Sequence, residues 1–184
     1  GDCEIIDPIA QEAKRLNYAA QFFKLRQRKG MTYPQAKKAM LNDNYFGMMM
    51  VNNEEADAFI SGMSNDYPET IRPALEIIGP EPGIDRVAGM YILSNKNGNY
   101  FLSDTTVNLN PSADQLVDII GLTAQAVRFF DVEPRMAGLS YSNFGSAKGE
   151  IPQKMAKAVA KAQAKWPKLL IDGEIQANVA LSKE

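Results

Sequence analysis

Apolar side chains recur at three- and four-residue spacing from Leu16 onward. Leu16, Ala19, Ala20 and Phe23, running on to Arg26 and Gln27, predict a helix that Gly30 stops. Thr32 is a favourable N-cap for a second helix through Leu41. Asn44 is placed to cap a third, which carries Phe46, Met49 and Met50, with Met48-Met49-Met50 read as core. The pattern then alternates between periods. Ala56 to Ile60 reads as a short strand ending at Ser61-Gly62, and Thr70 to Ile78 as a helix. Val87 to Leu93 and Tyr100 to Leu102 read as two strands of a hairpin turned at Asn95-Lys96-Asn97-Gly98. Ser112-Ala113-Asp114-Gln115 is a capping box, and the helix it opens aligns Leu116, Ile120, Thr123, Val127 and Phe130. Met136 to Ser140 and Leu169 to Ile171 read as strands. Between them Ile151 to Trp166 is a helix with Met155, Val159, Ala162 and Trp166 inward and Lys154, Lys157, Lys161, Lys165 and Lys168 outward.

Alternating elements of this kind predict an α/β fold with a largely parallel sheet and one β-hairpin. Both ends read as interrupted. Glu4 to Pro8 resembles the end of a strand already under way, and Val179 to Glu184 stops without a closing element. The expectation is one region, 1–184, that is part of something longer.

Composition narrows the chemistry. The chain has 184 residues, 45% of them hydrophobic, and a net charge of −2. It can bury a core, and as a whole it is not a basic nucleic-acid binder. No apolar run reaches the ~18 residues of a membrane span. Cys3 is the sole cysteine, which excludes an internal disulfide and fits a cytoplasmic setting. There is no histidine, so a Ser–His–Asp triad, a Cys–His pair and histidine zinc sites are excluded within the chain. Neither the dinucleotide Gly-x-Gly-x-x-Gly fingerprint nor a P-loop occurs. Charge is segregated: residues 13–42 hold eight basic side chains and no acid, leaving twelve basic against twenty-two acidic elsewhere. Such a stretch is either a solvated face or a surface for a polyphosphate.

Three strand ends are rich in small polar residues, where open α/β sheets collect ligands. In the first, Ser61-Gly62-Met63-Ser64 leads to Thr70 and Arg72, read as a helix cap and an arginine in the first turn. That combination suits an anion, or is ordinary capping beside a surface arginine. In the second, Asp104 heads Asp104-Thr105-Thr106-Val107-Asn108, and either orients a substrate or a loop, or closes an Asx turn. In the third, Ser140 to Lys148 is a Ser/Gly loop whose N–H groups suit an oxyanion, or is a plain loop. The acids Glu54, Glu55 and Asp57 read as loop and strand start rather than a metal site.

Several segments together resemble the phosphate acetyltransferase (phosphate acetyl/butyryltransferase) family. Tyr67-Pro68-Glu69-Thr70-Ile71-Arg72-Pro73-Ala74-Leu75 is similar to its Thr-Leu-Arg-Pro-Ala motif, and Ala56-Asp57-Ala58-Phe59-Ile60-Ser61-Gly62 to its Ala-Asp-Gly-hydrophobic-Ser-Gly segment. Leu25-Arg26-Gln27-Arg28-Lys29-Gly30, Ser140-Tyr141-Ser142-Asn143-Phe144-Gly145-Ser146-Ala147 and Ile171-Asp172-Gly173-Glu174-Ile175-Gln176 are likewise similar to family segments, in order, along nearly the whole chain. Asp104-Thr105-Thr106-Val107-Asn108 with Pro111, and Phe144, resemble the version fused to the C-terminus of hybrid NADP-dependent malic enzymes.

The resemblance implies an isocitrate/isopropylmalate dehydrogenase-like, three-layer αβα fold of two domains around a cleft, in a cytoplasmic homo-oligomer. It implies CoA, acetyl-CoA or an acyl phosphate as ligand. By position it puts Arg26 and Arg72, with Thr70, near CoA phosphates and acyl phosphate, and Ser142, Gly145 and Ser146 in a phosphate-facing loop. Ser61, Asp104 and Glu174 fall at the cleft. The family's Ser-Arg pair and catalytic Asp lie in a later segment that this sequence lacks, so no catalytic residue and no resident metal are expected here. The parent's NADP, divalent metal and malate sites would precede Gly1. The implied role is a regulatory and oligomerising module of an NADP-malic enzyme. The alternatives are part of a working acyltransferase, or a structural piece that binds nothing alone.

Overall fold

In a computed structural model, which describes residues 3–80 and 86–182, the chain divides into two units, Gly1–Pro82 and Gly83–Glu184.

The described part of the first unit is helical. Helix α1 (Glu12–Arg26) tightens into a 3-10 turn over Gln27–Lys29, and Gly30, at φ 89°, ends it in the left-handed region as expected. Helix α2 (Tyr33–Ala39) opens on a full capping box, Thr32 with Gln35, and has Pro34 in its first turn. Helices α3 (Asp43–Asn52) and α4 (Tyr67–Ile77) complete the unit. Tyr18, Ala19, Phe22, Ala36, Met40, Phe46, Met48, Met49 and Ile77 form its core. Each of the larger side chains contributes roughly 1.5–3 kcal/mol by leaving water.

Several expectations are corrected here. The inward stripe of α1 is Tyr18, Ala19 and Phe22, while Leu16 is exposed. Both faces of α1 carry apolar residues, and α3 chooses between them: Tyr18 packs on Phe46 at 5.1 Å and Phe22 on Tyr45 at 5.4 Å. The cap of α3 is Asn42, whose side chain accepts from the N–H groups of Asn44 and Tyr45; Asn44 lies inside the first turn, buried. Ala56 to Ile60 is not a strand, nor is Glu4 to Pro8, because no neighbouring strand among the described residues supplies a ladder. Finally, α4 begins at Tyr67, three residues before Thr70, with Pro68 suited to its first turn. Thr70 therefore does not cap; its hydroxyl donates back to the Asp66 carbonyl at 3.2 Å, and Arg72 stands beyond the first turn.

The second unit runs β1 (Met90–Asn95), β2 (Gly98–Ser103), α5 (Ala113–Phe129), β3 (Arg135–Leu139), α6 (Glu150–Lys165), β4 (Leu170–Ile175) and α7 (Ala177–Ala180). The first two strands form the expected hairpin, with Gly98 at φ 136° paired to Asn95 across Lys96-Asn97. Strand β1 starts later than Val87, because Val87 and Gly89 bond to the loop that follows β2. Strands β3 and β4 are parallel. Among the described residues these are two separate two-stranded sheets. The capping box Ser112–Gln115 is complete. Ile120 and Ala124 of α5, Val159 and Ala162 of α6, and Leu169 and Ile171 are buried together, with Met136, Met155 and Trp166 against them. The α6 lysines face outward as expected, and three make surface contacts: Lys161 pairs with Asp114, Lys165 lies 3.8 Å from Asp118, and Lys154 donates to Asn110 at 2.6 Å. Residues 183–184, which carried part of the expectation about the chain's end, lie outside the described residues.

Candidate functional site

The expected site residues belong to different units: Arg26, Ser61, Thr70 and Arg72 to the first, and Asp104, Ser142, Gly145, Ser146 and Glu174 to the second.

In the first unit Arg26 meets residues that carry no sequence signal, and the charge of Arg72 reaches one of them, Tyr45. Arg26 stands at the end of α1, and its Nη2 lies 3.8 Å from Glu76 Oε1 on α4. Tyr45 of α3 donates to Glu76 Oε2 at 2.8 Å. Arg72 precedes Glu76 by four residues and so shares its helix face. The Tyr45 phenol is pushed up to about 12, by burial first and then by the bond to Glu76 and its charge, with the charges of Arg72 and Arg26 opposing. Arg26, Lys29, Gly30, Met31, Gln35 and Glu76 line a cavity of about 270 Å³. One guanidinium and one ammonium against one carboxylate leave this cavity net cationic and suited to phosphate oxygens, with Arg72 outside its lining.

Behind it, Asn44 joins three segments. Pro73 has no N–H for the Glu69 carbonyl four residues earlier, and the Asn44 amide donates to that carbonyl at 3.4 Å instead. Ser61, the expected cleft residue, donates to Asn44 Oδ1 at 2.6 Å. Ser61 is thus a tether for the 56–66 segment.

In the second unit the Ser/Gly loop closes on an anion of its own. Gly145 N–H donates to Glu174 Oε1 at 2.6 Å and Ser142 Oγ donates to the same oxygen at 3.0 Å. Ser142 is fully buried and also accepts from the Ala147 N–H at 3.0 Å. Ser146 Oγ accepts from the Asn143 N–H at 2.9 Å and itself stays exposed. The register explains why Glu174 is available. Gly138 pairs with Gly173 but Leu139 pairs with Ile175, so the irregularity skips Glu174 and turns it beneath the loop.

Asp104 is committed in the same way. It accepts from the N–H groups of Gly89 (2.8 Å), Thr106 (3.3 Å), Val107 (3.2 Å) and Asn108 (2.6 Å), and from Asn108 Nδ2 (2.5 Å). It orders its own loop, one of the two readings the sequence left open. Burial pushes its carboxyl up, but the bonds from Asn108, Gly89 and Val107 outweigh this and leave it below its ordinary value.

The Glu174 carboxyl is held below its ordinary 4.5 by the Gly145 N–H and its own backbone N–H, with burial opposing and Ser142 assisting. A depressed carboxyl stabilises the fold above its ordinary value, and that contribution is lost as pH falls through the lowered one. The thermal midpoint of the wild-type chain is therefore expected to exceed that of Glu174→Gln by a constant margin above pH 4.5, and by a shrinking margin below it. A margin unchanged down to pH 3 would refute the assignment.

A separate cavity of about 760 Å³ lies beside Trp166, between α5 and the turn after α6, and includes none of the expected site residues. Among the described residues no group of three His, Cys, Asp or Glu side chains is placed to hold a metal ion. No helix among them is long and apolar enough to cross a membrane.

Comparison with known proteins places the chain in a family. The family profile described as "Phosphate acetyl/butaryl transferase" matches residues 1–184. The phosphate acetyltransferase of Bacillus subtilis (strain 168) is 37% identical over 180 residues, 98% of this chain and 55% of that protein, so the chain spans about half its relative's length. The NADP-dependent malic enzyme of Escherichia coli (strain K12) is 38% identical over 165 residues, 89% of this chain and 22% of that protein. Among solved structures, the EutD phosphotransacetylase from Staphylococcus aureus superposes with a TM-score of 0.77 at 34% identity, covering 96% of this chain and 54% of that one. With its motifs in order and its whole length matched, the chain belongs to the phosphate acetyl/butaryl transferase family.

Proposed function

We propose that this chain is the phosphate acetyltransferase-like part of an NADP-dependent malic enzyme, where it binds CoA or acetyl-CoA and acts as a regulatory and oligomerising module. The observation that carries the binding reading is the convergence of Arg26 and Arg72 on Tyr45 and Glu76 beside a cationic pocket. The malic-enzyme reading is supported by the match to the Escherichia coli enzyme over 89% of the chain. In this account acetyl-CoA biases the distant oxidoreductase by binding one of its states more tightly. Arg26 and Lys29 hold phosphate oxygens, and Arg72 adds charge from the neighbouring helix. Oxidative decarboxylation of malate to pyruvate, with NADP and a divalent metal, belongs to the parent outside this chain. The finer architecture we propose is the three-layer αβα, isocitrate/isopropylmalate dehydrogenase-like fold in a cytoplasmic homo-oligomer. Phe129, 84% exposed against Phe130, offers apolar surface for such an assembly.

A second reading has its own support. The relative from Bacillus subtilis is a phosphate acetyltransferase matched over 98% of this chain. There the parent would move an acyl group between CoA and phosphate, with arginines neutralising the phosphate.

Malate-dependent NADP reduction by the full-length parent separates the two. The rate at sub-saturating malate is expected to change roughly five-fold or more with acetyl-CoA, the usual size of an allosteric coupling. An unchanged rate, or a parent without a dehydrogenase part, would overturn the regulatory reading. Acetyl transfer from acetyl phosphate to CoA would favour the second.

A further inference from the structure

We propose that Glu76 is a built-in competitor for the arginine pocket: it positions Arg26 and, by its charge, lowers the pocket's affinity for phosphate-bearing ligands. This rests on the reading of Arg26 and Arg72 as the phosphate-binding pair.

The geometry separates the two roles. The Tyr45 ring packs against Phe22 in the core, 5.4 Å between centroids, so its hydroxyl is a fixed post. That hydroxyl pins Glu76 Oε2 at 2.8 Å and leaves Oε1 facing Arg26 Nη2 at 3.8 Å. A single contact of that length is not the two-pronged fork that saturates a guanidinium. Arg26 therefore keeps donors for a ligand while its side chain, 21% exposed, stays anchored beside Glu76, 20% exposed. Glu76 also lines the cavity that a phosphate would enter past Lys29 and Gln35. A carboxylate there repels every incoming oxyanion, and partial burial keeps solvent and salt from screening it fully.

Position and charge can be varied apart. Glu76→Gln keeps an oxygen for the Tyr45 hydroxyl and removes the charge. Glu76→Ala removes both. In calorimetric titrations of the full-length protein with acetyl-CoA, and separately with inorganic pyrophosphate, Glu76→Gln is expected to bind about ten-fold more tightly than wild type. That corresponds to roughly one pK unit of the effect one neighbouring charge exerts on another. The gain should shrink as salt rises from 0.05 to 0.5 M, on the order of the change in screening length. Glu76→Ala should gain less than Glu76→Gln, because Arg26 loses its anchor. A Glu76→Gln affinity equal to or weaker than wild type, with Arg26→Ala still weakening binding, would overturn the competitor role alone. Arg26→Ala binding as tightly as wild type would overturn the underlying site reading, and this proposal with it.

Discussion

Gly173→Ala is expected to destabilise the second unit by about 3–5 kcal/mol, combining a strained backbone with overpacking. Gly173 sits at φ 130°, where L side chains are rarely found. A Cβ there would lie 2.6 Å from the Gly138 carbonyl oxygen, 3.1 Å from its nitrogen and 3.2 Å from its Cα. These are backbone atoms of β3, which cannot swing aside as a side chain would. Gly138 cannot retreat either, because it faces Val159 and Met155 of α6. The paired glycines let β3 and β4 approach closely just before the register skips Glu174. Urea unfolding followed by the emission of Trp166, the single tryptophan of the chain and a member of this unit's core, reads the loss directly. Gly145→Ala is the control. Its φ of 84° is also left-handed, but no heavy atom lies within 4 Å of the added Cβ, so strain alone operates and about 1–2 kcal/mol is expected. Equal, small effects in both variants would contradict the close-approach account.

Local grammar carried most of the secondary structure. The Ser112–Gln115 capping box forms as read, and Thr32, read as an N-cap, caps α2 in a full box with Gln35. Gly30 and the hairpin at Asn95 to Gly98 are similarly local. The inward residues of α6, Val159 and Ala162 with Met155 and Trp166 beside them, were legible because lysines mark the opposite face unambiguously. On α1 no such contrast exists. Leu16 and Phe23 compete with Tyr18 and Phe22, and only contact with α3 decides. Ala56 to Ile60 has the alternation of a strand, yet alternation cannot supply a partner.

The site divides along the same line. Arg26 and Arg72 were visible through motif resemblance; Arg26 lines a cavity with Glu76, and Arg72 lies on the helix of Glu76 outside that lining. Glu76 and Tyr45 gave no signal, since they lie thirty-one positions apart and meet only in the folded unit. Ser142 and Gly145 were read as donors for an external oxyanion. The fold points both at Glu174, a choice set by a register irregularity that no composition or spacing encodes.

The proposed function requires the phosphates of CoA to bind beside Arg26, within reach of the charge of Arg72. Arg26 and Arg72 come from different helices, and each can make charge-assisted bonds worth about 1.5–3 kcal/mol to a phosphate. Calorimetric titration of acetyl-CoA into the full-length protein tests this most directly. Arg26→Ala and Arg72→Ala are each expected to weaken binding by roughly 10- to 100-fold, and the double variant by more than either. Arg26 is the more buried of the two, with a shaped cavity beside it, and should show the larger loss. Affinity for acetyl-CoA unchanged in both single variants would contradict the account.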